Sequence, residues 1–211
     1  GLPLPRRARG VHLEQARPVF KAGLPMFIDK PVAGSLADAI EIYRLAKEHN
    51  VPCWSSSSYR YYPGLVEMLN KDYGELRGAI SYGSAHLEEH HPDLFWYGVH
   101  PTEALFTAMG VGVQTVVRTH TENTDVVTGV WEGGKVGTLR GLRNQKTPNQ
   151  VIVFGTKEVL HQGSGSGYGP MLEKVAEFFK MVKSLCRRAR RSRSSRLWKL
   201  PTKANARAAF P

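Results

Sequence analysis

Cysteine is scarce in this chain. Two residues, Cys53 and Cys186, stand far apart in 211, so a disulfide framework is not the basis of the fold and both read as reduced thiols. Long apolar runs are missing too. None approaches the roughly 18 residues that cross a bilayer. No apolar stretch of signal-peptide type follows Arg6, Arg7 and Arg9. A cytoplasmic location without a membrane span is therefore expected. Acidic residues are absent from both ends: from Arg187 to Arg207 there are nine Lys/Arg and no Asp or Glu, and residues 1–10 hold three arginines and no acid. The formal charge of +11 belongs to those ends, because residues 10–186 sum to −1.

A dinucleotide-binding glycine loop is also lacking. Gly163-Ser164-Gly165-Ser166-Gly167 is rich enough in glycine, but no acid stands about 20 residues further on, and Pro170 fits a helix start after a flexible loop. What the chain does have is an ordinary apolar fraction, 41%, enough for a sizeable core.

The periodicity predicts a helix over 12–23 that contains Pro18 and ends at Gly23, then a short strand over 24–28. Ser35 caps a second helix with apolar positions Leu36, Ala39, Ile40, Tyr43 and Ala46, and 51–56 reads as a buried strand. This alternation predicts a parallel pair. Beyond Tyr59 come a helix over 63–70, a strand near 76–83 and a helical segment over 92–109, which Pro101 should break or restart just after His100. Strands follow at 114–121, 126–132, 136–142 and 151–156, the second and third joined at Gly133-Gly134. A final amphipathic helix covers 172–182. The fold class is α/β plus α+β. The divisions are a segment 1–10, a parallel α/β unit 11–57, a larger α/β unit 58–183 with an open, largely antiparallel sheet, and a basic tail 184–211.

Asp29-Lys30-Pro31 ends the first strand, which sets an ammonium at the edge where open α/β sheets bind ligands. Taken with His12-Leu13-Glu14-Gln15, Ala22-Gly23, Tyr59-Arg60 and Pro92-Asp93-Leu94-Phe95-Trp96-Tyr97-Gly98-Val99-His100, the chain resembles the Gfo/Idh/MocA oxidoreductases of the glucose–fructose oxidoreductase and inositol dehydrogenase type over about residues 11–183. The resemblance implies a partial Rossmann domain over 11–57 and a substrate and oligomerisation domain over 58–183. It implies NAD or NADP as cofactor, a sugar or polyol as substrate, and a homo-oligomer formed through the C-terminal sheet.

By the same resemblance Lys30 and His100 are the catalytic pair. Lys30 polarises the substrate hydroxyl and His100 takes its proton, a task that suits an imidazole titrating near ~6.5. His12, Asp29, Lys30, Pro31 and Arg60 face the cofactor, although Arg60 could equally be a solvated interdomain arginine. His91, Trp96, Tyr97 and His100 face the substrate, with packing the slightly favoured role for Tyr97. The family pattern has an aspartate four residues before the histidine. Here that position is Trp96, so the orientation of His100 must come from elsewhere. His86, His90 and His91 suggest metal at first sight, but a polar loop is the better reading because no further ligand cluster accompanies them.

No family phosphate loop or ribose-reading acid is matched, so the chain reads as N-terminally truncated and impaired in cofactor binding. Residues 1–10 and about 185–211 are expected to be products of a shifted reading frame. Two other functions stay open: a non-catalytic sugar-binding or assembly module, and nucleic-acid binding through the arginine-rich tail with Trp198 stacking, the less favoured of the two.

Overall fold

The computed structural model of the chain describes residues 11–89, 91–144 and 146–191. The N-terminal basic segment, the tail beyond Arg191 with Trp198, and His90 lie outside the described residues. No helix among the described residues is long and apolar enough to cross a membrane.

The first unit is a two-stranded parallel sheet with two helices on it. Helix α1 (Val11–Lys21) buries Leu13, Ala16 and Phe20, and it runs through Pro18 without interruption. Gly23 follows with φ +68°, the left-handed conformation that ends a helix cheaply only at glycine. Strand β1 (Met26–Asp29) pairs in parallel with β2 (Cys53–Ser56), from Met26 opposite Cys53 to Asp29 opposite Ser56. Between them α2 (Leu36–Glu48) is capped by Ser35, whose Oγ accepts from the Asp38 amide at 3.1 Å. Ile28, Ile42, Leu45, Ala46 and Val51 close this core against α1. Cys53 is a free thiol, and burial pushes it up to about 11.

A 3-10 turn (Ser58–Tyr61) and α3 (Pro63–Leu69) lead into the second unit. Its strands are β3 (Leu76–Ser84), β4 (Val113–His120), β5 (Thr124–Trp131), β6 (Val136–Leu142), β7 (Gln150–Gly155) and the short β8 (Val159–His161), in the order β4-β5-β6-β3-β7-β8. The expected Gly133-Gly134 hairpin joins β5 to β6. Sequence pattern alone missed β8, and it missed that β3 inserts between β6 and β7. That insertion makes β3–β6 the one parallel pairing in an otherwise antiparallel sheet of the described residues.

Helix α4 (Val99–Met109) covers one face of this sheet, packing on β3, β6 and β7. It begins before His100, not after it. Pro101 lies in its first turn, where the missing N–H would have had no partner in any case. Among the described residues the sheet's other face is left uncovered at Val130 and Val136, which pair on it, and β4 lies at its edge. Helix α5 (Gly169–Arg191) extends past 184, so the first residues assigned to the basic tail are helical. The glycine run before it is exposed, but its first residues lie against α3: a Cβ on Gly64 would run into the Gly163 carbonyl oxygen. Those glycines permit close approach of two backbones rather than a cradle for phosphate.

Trp131 pins the covering helix to the sheet. Its ring lies over Gly129 and Gly137, where a Cβ would come within 2.8 and 2.7 Å, and its Nε1 donates to the Gly110 carbonyl at 2.9 Å, just past the end of α4. Trp131→Ala therefore loses both the packing and the anchor. A stability loss of about 3–5 kcal/mol is expected in urea denaturation. A loss below about 1 kcal/mol would mean that the ring is not the anchor.

Candidate functional site

The C-terminal ends of β1 and β2 meet the start of α4. Lys30 follows β1. Its Nζ donates to the Trp96 carbonyl at 3.2 Å and lies 4.8 Å from the Trp96 ring and 5.6 Å from the Tyr97 ring. Burial lowers its pKa, with the Asp29 carboxylate opposing. His12 reaches across from α1 and bonds through Nδ1 to the Pro31 carbonyl at 3.0 Å, so it holds the turn that presents Lys30.

Ser57 follows β2. Its Oγ lies 2.8 Å from His100 Nδ1 and accepts from the Tyr59 amide at 3.2 Å. This contact supplies the orientation that an aspartate at position 96 would have given. The Tyr59 ring covers His100 at 4.6 Å between centroids, and Tyr97 meets it edge-on at 5.7 Å. Burial, and secondarily the charge of Lys30, push the imidazole down to about 4. His100 is thus neutral throughout the neutral pH range, which differs from the ordinary titration expected from sequence.

Glu103, one turn after His100, holds the whole arrangement. One carboxylate oxygen accepts from Ser56 Oγ at 2.6 Å and Arg60 Nε at 2.9 Å, and the other accepts from the Ser57 amide at 2.8 Å. Arg60 is therefore engaged by α4. His91 is held by Glu88 at 2.7 Å and meets the Trp96 ring in a tilted contact at 4.4 Å between centroids.

No protein-family model matches the chain, and no curated protein matches it. Solved structures do. A probable dehydrogenase from Thermotoga maritima superposes with a TM-score of 0.67 at 19% identity, covering 82% of this chain and 67% of that one. An inositol dehydrogenase homolog from Azotobacter vinelandii, solved with NADH and myo-inositol, gives 0.60 at 17%, covering 74% and 48%. GenD2 from gentamicin A biosynthesis, solved with NAD, gives 0.62 at 18%, covering 73% and 52%. The chain has the fold of the Gfo/Idh/MocA-type oxidoreductases. It spans about half the length of most of the solved chains it matches.

Within that fold Lys30, Trp96, Tyr97 and His100 come together, while His12 supports from behind, Asp29 faces solvent at the strand end, and Arg60 serves Glu103. Sequence reasoning missed Ser57, Tyr59 and Glu103. The run Ser55–Ser58 across the end of a buried strand, and a glutamate three residues after the histidine, were the available signals.

The depressed pKa of His100 has a consequence for stability. The unfolded chain protonates this imidazole near pH 6.5, whereas the folded chain does so only near 4. Between those values the unfolded state holds more protons, so the contribution of His100 is complete above about pH 6.5 and is lost as pH falls towards 4. Urea midpoints measured from pH 7 to 4 should fall more steeply for the natural chain than for His100→Asn. Parallel curves would show that the imidazole is not buried neutral.

Proposed function

We propose that this chain carries the chemical site of an NAD(P)-dependent oxidoreductase of the Gfo/Idh/MocA type, acting on a sugar, a polyol or a derivative. The observation that carries the reading is the meeting of a half-buried ammonium, Lys30, and a buried neutral imidazole, His100, at the C-terminal edge of a parallel sheet. That edge suits the nicotinamide end of the cofactor. Lys30, the Pro31 turn held by His12, and the Ser57–Arg60 turn would border it. When bound, the cofactor supplies the hydride acceptor or donor.

The chain's own residues handle the proton and the charge. Lys30 donates to the substrate hydroxyl and stabilises the negative charge that develops on its oxygen. With the Nδ1 proton of His100 directed at Ser57 Oγ, Nε2 keeps its lone pair and accepts the hydroxyl proton. The low proton affinity keeps that lone pair free at neutral pH and makes it a weaker acceptor than an ordinary imidazole. Trp96 and Tyr97 wall the site and present flat apolar surface to a sugar ring.

The phosphate end of the cofactor is a different matter. The one glycine-rich run of the sequence packs on Pro63 and Gly64, so we expect this 211-residue chain alone to bind NAD(P) weakly. Calorimetric titration should show affinity weaker than micromolar, and micromolar binding would refute this. At millimolar NAD(P)+, slow turnover on a panel of polyols that includes myo-inositol should drop at least about 100-fold in Lys30→Met and in His100→Asn. Turnover that survives both substitutions would overturn the assignment.

The exposed valines of β4, Val116 at 59% and Val117 at 70%, together with Val130 and Val136 on the open sheet face, favour self-association through the sheet. Sedimentation velocity across a concentration series should show a species heavier than the monomer. A monomer at every concentration would dismiss it.

A further inference from the structure

Strands β3 and β6 run parallel, so both deliver their C-terminal ends to one edge of the large sheet. Ser84 and His86 emerge from one strand, Asn144 and Lys146 from the other. With Tyr97 they line an open cavity of about 520 Å³. Apart from Tyr97, none of these residues touches Lys30 or His100.

Its chemistry has one sign. Among the described residues the lining offers an ammonium, an imidazole, an amide and two hydroxyls, and no carboxylate. Lys146 has no ion pair and His86 no hydrogen bond among the described residues; His86 makes only an edge-on contact with Tyr97 at 5.6 Å. The acids nearest in sequence to this edge are Glu88, Glu89 and Asp93; Glu88 is engaged by His91 and Asp93 by Arg118, and none of the three lines the cavity.

Tyr97 is the shared wall. Its ring lies 5.7 Å from His100, 5.6 Å from the Lys30 ammonium and 5.6 Å from His86. A sugar-sized molecule crossing the edge of that ring can place a hydroxyl at Lys30 and His100 and another group in the cavity beyond.

We propose that the cavity is an anion subsite and that the substrate is an acidic sugar, with its carboxylate or phosphate held by Lys146, His86 and Asn144. The proposal rests on the oxidoreductase reading for the position of the reacting hydroxyl, but not for the anion site itself. Lys146 gives the charge-assisted hydrogen bond, and Asn144 and His86 fix its direction.

Isotope-edited NMR titration of the 211-residue chain with glucuronate, glucose 6-phosphate and glucose tests this. At least one acid should bind about tenfold tighter than glucose or better, the factor that one charge-assisted hydrogen bond supplies. The tighter acid identifies carboxylate or phosphate. In Lys146→Gln the acid-to-glucose ratio should fall close to one, whereas Lys21→Gln on α1 should leave it unchanged. No preference for acid, or an equal fall in both variants, overturns the proposal. Shifts at Lys146 without shifts at Lys30 and His100 would uphold the anion site and reject the oxidoreductase reading. Shifts at neither place would reject both.

Discussion

The arrangement of this protein's chemical groups hangs on the carboxylate of Glu103. It accepts a hydroxyl, an amide and a guanidinium, all from the segment Ser56–Arg60 that leaves the small parallel sheet. Glu103 sits on the helix that covers the large sheet. One side chain therefore clasps the two units together, and it does so three residues from His100. The clasp fixes Ser57, Ser57 fixes the imidazole, and the imidazole is buried deeply enough to stay neutral. Charge on Glu103 matters because three donors converge on it in a partly dry place. A neutral group would satisfy fewer of them.

A second cluster secures the opposite wall. Asp125 is buried on β5 and held by Arg118, His120 and Arg143. Arg118 also grips Asp93, with one of the two contacts at 2.8 Å. Asp93 opens the turn that carries Trp96 and Tyr97. The aromatic wall is thus tied to the edge of the large sheet, just as the base is tied to the small one. Burying Asp125 and Arg143 is costly, and it is tolerated because the two pair with each other.

Much of this was legible in the sequence. The apolar spacing of α1 and α2, the Ser35 cap and the Gly23 stop placed the elements of the first unit to within about two residues, because each signal is local. The Gly133-Gly134 hairpin was legible for the same reason. Lys30 and His100 stood out through motif order and resemblance. The start of α4 was misjudged by one or two residues, since Pro101 is tolerated in a first turn as readily as it ends a helix. The basic tail was drawn too early because helical sequence and arginine-rich sequence overlap from residue 184 to 191. Ser57 and Glu103 were missed because serine and glutamate have many bland uses, and only a partner more than 40 residues away gives these two a role.

The sequence by itself determined the elements, the strand-end lysine, the helix-borne histidine and the near neutrality of the body, all consequences of local periodicity and composition. Tertiary structure alone decided the rest. It slipped β3 between β6 and β7, a long-range pairing that no short window can register, and so brought His86 and Lys146 to one edge. It replaced an expected aspartate with Ser57, and it moved the imidazole's proton affinity by burial. Pairing and desolvation belong to the surroundings a residue acquires, not to the residue, which is why the sequence could name the actors but not their charges or neighbours.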